Sequence, residues 1–182
     1  MAARDDPAAA TTAAVPDIDE LHAAARALLG ALDAAGMKLV TAESCTGGFL
    51  ASLLTDIEGL SHGFDRGFVT YSNSAKEQML GIDRGLIARS GAVSEPVARA
   101  MAQGGLDRSR GGIALAITGI AGGDDPQERE GPGVVYVAAA IPHQSWVYRK
   151  DYGERPRAAV RNLAAAAALA AGMRAMAWKQ AL

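Results

Sequence analysis

From Pro16 onward the chain alternates between two hydrophobic spacings, one repeating every three or four residues and one continuous or every second residue. In PDIDELHAAARALLGALDAAG (16–36), Leu21, Ala25, Leu28 and Leu32 share one helical face. Asp17 with Glu20 three residues on forms a capping-box pattern, and Gly36 is placed to close the helix in the left-handed conformation. KLVTAE (38–43) then reads as a strand, SCTGG as a turn and FLASLLTDI (49–57) as a helix. A second strand is predicted at RGFVTYS (66–72), followed by the helical NSAKEQMLG. Another helix starts near Ser94, with Ser94 as cap, Glu95 in the first turn and Pro96 where a missing N–H is tolerated. GIALAITG (112–119) is an unbroken apolar run, the pattern of a buried central strand. GVVYVAAAIPHQSWVYRKDY (133–152) gives two strands about a Pro-His-Gln-Ser turn, and an alanine-rich helix runs from Arg157 to Lys179.

The order α-β-α-β-α-α-β-β-β-α predicts an α/β fold. It is a three-layer α/β/α sandwich whose mixed, mostly parallel sheet ends in an antiparallel hairpin. Residues 1–16, rich in Ala, Thr, Pro and Asp, are expected to form a disordered leader, and 17–182 a single domain. A chain of 182 residues is long enough for one such domain with a sizeable core. The net charge of −2 gives no general attraction to nucleic acid or an acidic membrane. Cys45 is the only cysteine, which removes intramolecular disulfides and cysteine-built zinc sites and suits a reducing compartment. No apolar run approaches the roughly 20 residues of a membrane span, and the N-terminal residues lack the apolar stretch of a signal peptide. A cytoplasmic protein with no nucleic-acid or membrane partner is expected.

Three strand ends carry the candidate chemistry: AESCTGG, TYSNSAK and TGIAGGDD. Ligands of open α/β sheets collect outside the carboxyl ends of strands, so parallel neighbours would bring these segments together. Ser44 could be a nucleophile or, with Thr46, a helix cap, while Thr46, Gly47 and Gly48 could offer N–H groups to a phosphate or an oxyanion. A nucleophilic serine needs a base. His22, His62 and His143 fall in the first helix, a loop and a hairpin turn, away from these strand ends. Lys76 is the better candidate, since a buried lysine loses its proton more readily, with Tyr71 relaying or orienting. Cys45 has no neighbouring cation in sequence and reads as a small buried side chain. Thr118, Gly119 and Gly122 could form a plain strand-ending turn, and GGDDPQERE (122–130) lacks an EF-hand pattern and reads as a solvated loop. Neither a Walker motif nor G-x-G-x-x-G is present.

AESCTGG, GFVTYSNSAK, GAVSEPVA, ITGIAG and GVVY, in this order, resemble the CinA C-terminal domain family, and the resemblance covers about residues 20–178. It implies hydrolysis of the carboxamide of nicotinamide mononucleotide (NMN) to nicotinic acid mononucleotide and ammonia, in pyridine nucleotide recycling. It implies no metal and no cofactor, Ser44 as nucleophile, Lys76 as base and Tyr71 as helper. Thr46, Gly47 and Gly48 would hold the oxyanion, with Cys45 in a supporting place. For the substrate phosphate, Thr118, Gly119 and Gly122 offer N–H groups, and GERPRAAVR (153–161) offers Arg155, Arg157 and Arg161. Against the family's G-D-R-x-x-V-R, register counted back from Arg161 favours Arg157, which would pair with Arg161 at i, i+4, while counting forward from Gly153 picks Arg155 with an insertion. Two departures bear on substrate identity: GIAGG replaces the family's G-I-A-G-P, and EGPG replaces K-P-V-G in a shorter loop. The second puts Glu130 where the family has lysine, near the mouth of the site, with Arg129 as a candidate compensator. Glu43 could orient Lys76 or hold the turn. A homo-oligomer is expected from the family. The alternatives are a non-catalytic nucleotide-binding module and a serine–lysine amidase acting on another small amide.

Overall fold

Helix α1 (Ile18–Ala34) begins where its sequence predicts, because Asp17 and Glu20 each take the other's backbone N–H, at 2.8 and 2.9 Å. Its end is equally local, with Gly36 at φ 61°. These features come from a computed structural model that describes residues 13–123, 126 and 128–180. The expected leader falls mostly on residues 1–12, outside the described residues. Of the rest, the Ala13 carbonyl accepts from Arg155 at 2.8 Å and the Pro16 carbonyl from Asn162 at 3.1 Å, so this stretch is held against the last helix and the turn before it.

Strand β1 (Leu39–Glu43) leads through the TAESCTGG turn to helix α2 (Phe49–Thr55), and a short 3-10 turn precedes β2 (Phe64–Val69). Strand β2 starts and stops earlier than predicted, which leaves the Thr70 and Tyr71 carbonyls to accept from Lys76. Helices α3 (Asn73–Leu80), α4 (Arg84–Ser90) and α5 (Glu95–Asp107) follow. Helix α4 has no counterpart in the sequence expectation; its signal is Asp83, whose carboxylate caps it at Leu86 N–H, 2.7 Å. Ser94 is not the side-chain cap expected for α5, since its hydroxyl donates back to Gly91 O at 2.8 Å. Strands β3 (Ile113–Gly119), β4 (Val134–Ile141) and β5 (Gln144–Asp151) and helix α6 (Arg157–Gln180) complete the chain. The hairpin turn is tighter than expected, only Pro142 and His143, with His143 in the left-handed region at φ 70°.

The sheet order is β2-β1-β3-β4-β5, with β1 parallel to both β2 and β3 and an antiparallel edge made by β4 and β5. Side-chain alternation sorts the core into two layers. Leu39, Ile113, Leu115, Ile117, Val135 and Val137 pack with α1, α2 and α6 on one face. Val40, Ala42, Ala114, Ala116, Ala138 and Ala140 pack with α3, α4 and α5 on the other. The second face is mostly alanine, and α5 meets it through Gly105, where an added Cβ would lie 3.8 Å from Ala42. Gly104, beside it, lets α3 approach, because a Cβ there would strike the Leu80 carbonyl. Small residues on three elements thus set the height of α3, the helix that carries Lys76. Among the described residues no helix is long and apolar enough to cross a membrane.

Candidate active site

The parallel register fixes which residues meet. Glu43 pairs with Val69 on one side and Ile117 on the other, so the next residues, Ser44, Thr70 and Thr118, stand side by side at the carboxyl ends of the parallel strands, where β3 alone continues to Gly119 against β4. Ser44 N–H still reaches Ile117 O at 2.9 Å, and Thr70 N–H reaches Glu43 O at 2.7 Å. Beyond this edge lies a cavity of about 490 Å³. It is lined by Ser44 and Cys45 from the first turn, Tyr71, Ser72, Asn73 and Lys76 from the second, and Thr118 to Gly123 from the third; Ala92, Val93, Glu128 and Arg157 close it.

Lys76 is 1% exposed, and its Nζ donates to Ser44 Oγ at 3.0 Å, Thr70 O at 2.9 Å and Tyr71 O at 3.3 Å. Burial pushes its pKa down to about 8, an effect partly opposed by the negative charge of Glu128. Cys45 moves the other way: burial pushes its thiol up to about 12, even with Arg157 and Lys76 nearby. The serine is therefore the hydroxyl beside a readily deprotonated amine, while the thiol next to it stays protonated.

Glu43 holds the turn. Its buried carboxylate accepts N–H bonds from Gly48 at 3.1 Å, Leu50 at 3.1 Å and Ala51 at 2.8 Å, and so caps α2 from below. Neither Ser44 nor Thr46 is the cap. Gly47 and Gly48 stand at φ 59° and 92°, the left-handed conformation this turn requires. Their N–H groups go to Ser44 O and Glu43, which corrects the expectation that they face an oxyanion. Among the described residues, the N–H groups of Cys45 and Thr46 meet no backbone acceptor.

Other site residues also differ from expectation. Tyr71 is 63% exposed, and its phenol accepts from Arg157 Nη2 at 3.1 Å, so its link to Lys76 runs through its backbone carbonyl. Arg157 lines the cavity, whereas Arg155 bonds Tyr152 O and Ala13 O. Arg161 lies outside the lining; it donates to Thr46 O at 2.6 Å and stacks over Phe49, bracing the Ser44 turn from behind. Thr118 gives its hydroxyl to Ala92 O at 2.9 Å. Gly119 and Gly122 line the cavity; at Gly119 a Cβ would meet Val134 O at 2.8 Å. Glu130 is neutralised by Arg149 at 2.8 Å, not by Arg129, and it also accepts a bond from the Tyr136 hydroxyl. His22 and His62 meet Asp56 and Asp33, and none of the histidines lines the cavity. No group of three or more His, Cys, Asp or Glu among the described residues could hold a metal ion.

The sequence compares closely with known proteins. Residues 21–176 match the model of the CinA C-terminal domain. The nicotinamide-nucleotide amidohydrolase PncC of Escherichia coli (strain K12) is 48% identical over 139 residues, which is 76% of this chain and 84% of that protein. The solved competence/damage inducible protein CihA from Agrobacterium tumefaciens superposes with a TM-score of 0.82 at 36% identity, covering 91% of this chain and 99% of that one. A competence-damaged protein (CinA) superfamily protein from Escherichia coli superposes with a TM-score of 0.83 at 33% identity, covering 90% and 94%. With this match across nearly its whole folded length, the chain belongs to the CinA C-terminal domain family.

Proposed function

We propose that the protein hydrolyses the carboxamide of NMN to nicotinic acid mononucleotide and ammonia, through a serine nucleophile and a lysine base, in the recycling of pyridine nucleotides. The observation that carries this reading is the 3.0 Å Ser44–Lys76 bond inside the cavity. The 48% identity to a protein named for this activity supports NMN as the substrate.

Lys76 is built to serve in both protonation states. As an ammonium it has three N–H donors for its three acceptors. As a neutral amine it keeps two for the Thr70 and Tyr71 carbonyls and turns its lone pair to the Ser44 hydroxyl. The bond to Ser44 then reverses, with Oγ–H donating to Nζ. Lys76 removes that proton as Oγ attacks the carboxamide carbon. The N–H groups of Cys45 and Thr46 are the donors available to the oxyanion, and the residue after a nucleophile is a common source of such a group. Collapse breaks the C–N bond, and the Lys76 proton leaves on ammonia. Water, giving its proton to Lys76, then hydrolyses the ester and restores Ser44. Arg157, at the rim, is the cation placed to meet the substrate phosphate.

The test is ammonia and nicotinic acid mononucleotide release from NMN by the purified protein, with Ser44→Ala as control. Turnover should be lost by about a thousandfold or more in the variant. Tight NMN binding by the wild type with no product would support a nucleotide-binding module instead.

A further inference from the structure

Glu128 lies in the acidic run that reads as a solvated loop, yet its carboxylate is engaged at the site. Oε1 accepts the N–H of Ala92 at 3.1 Å and Oε2 the N–H of Val93 at 2.9 Å. The seat is close: an added Cβ on Gly91, itself at φ +82°, would come within 2.9 Å of Oε2. Ala92 in turn receives the Thr118 hydroxyl on its carbonyl at 2.9 Å, and Thr118 follows Ile117, whose carbonyl holds Ser44 N–H at 2.9 Å. A continuous set of hydrogen bonds therefore runs from Glu128 through the 92–93 backbone and the end of β3 to the nucleophile's own strand. Glu128, Ala92 and Val93 all line the cavity that holds Ser44 and Lys76. On its other side the same carboxylate borders a neighbouring groove of about 590 Å³ that is lined by Arg84 and Arg129.

We propose that Glu128 is a positioning residue for the hydrolytic site: it staples the Ala92–Val93 wall in place and sets a negative charge on the cavity of Lys76. Two consequences follow, and the one that concerns NMN rests on the hydrolase reading. Without the staple, two N–H groups lose their acceptor and the wall moves, so the substrate is held less well. Without the charge, the Lys76 ammonium loses a favourable partner and gives up its proton more easily. The ionisable groups that share the cavity with Lys76 are Cys45, Tyr71, Glu128 and Arg157, and Glu43 lies under the Ser44 turn with its carboxylate taken by α2. Of these, it is the Glu128 carboxylate that most favours the lysine's charged form, since the Cys45 thiol is neutral where Lys76 titrates.

Glu128→Gln keeps the shape and one acceptor oxygen but removes the charge; Glu128→Ala removes both. Lys76 is titrated directly by NMR of ¹³C-labelled lysine, its signal assigned with Lys76→Arg, so this readout needs no turnover. The midpoint should fall by about half a pH unit or more in Glu128→Gln. The KM for NMN should rise about fivefold or more in Glu128→Ala and be partly restored in Glu128→Gln. Either an unmoved Lys76 midpoint in Glu128→Gln or a wild-type KM in Glu128→Ala overturns the proposal. Absence of NMN turnover by the wild type would sink the hydrolase reading alone, because the titration still decides whether Glu128 acts on Lys76.

Discussion

Two adjacent side chains compete for the nucleophile's role at the first turn, and their surroundings separate them. The Ser44 hydroxyl has a buried amine at 3.0 Å, and the Cys45 thiol has apolar burial that pushes it up to about 12. A thiol is the stronger nucleophile only as its thiolate, which this environment withholds at neutral pH. Cys45→Ala should therefore keep NMN turnover within about threefold of wild type, and the wild-type thiol should react slowly with iodoacetamide. Loss of turnover in Cys45→Ala, with Ser44→Ala still active, would reverse the assignment. At the rim, the Tyr71–Arg157 contact at 3.1 Å joins two groups that the sequence places in unrelated segments. Lys76 could be singled out from the sequence because a lysine beside strand-end hydroxyls is a recognisable base. The carbonyls of Thr70 and Tyr71 could not, since backbone acceptors leave no trace in residue type.

The element that depends most on one side chain is α2. Its seven residues are too short to hold together alone, and its first N–H groups converge on the fully buried Glu43. Glu43→Ala leaves those donors buried and unpaired, which should cost about 3 kcal/mol of stability in urea unfolding. The same change frees the turn that aims Ser44, so turnover should fall with it. An Ala variant as stable as wild type would show that water caps the helix equally well. The sequence leaves Glu43 between orienting Lys76 and holding the turn. The choice depends on whether the carboxylate points along the strand or under the next helix, and periodicity does not report that direction. Helix α4 escaped for a related reason: seven residues around one buried Ile87 give too little repeat to register, and its Asp83 cap is its clearest mark.

In the whole molecule, the site exists because three strands run parallel and in register. That arrangement was legible: helical and strand-like periods gave the layers, and the strand-end motifs gave the edge at which they meet. Loop details were not. Glu128 and Glu130 sit in one acidic run, but one staples the 92–93 backbone and the other pairs with Arg149 of β5. Only the folded arrangement brings those partners within reach, from segments 35 and 19 positions away. Arg161 likewise turned from an expected substrate contact into a brace because α6 carries it past the cavity and behind the Ser44 turn. The central claim is that neutral Lys76 activates Ser44, and its most direct test is kcat/KM for NMN across the range in which Lys76 titrates. Because Lys76 must be deprotonated to act, activity is lost as pH falls below its pKa of about 8 and gained above it. The account predicts a rise with unit slope to a midpoint near that value, with turnover abolished throughout in Ser44→Ala. A profile that is flat through this range, or Ser44→Ala turnover within about tenfold of wild type, would contradict it.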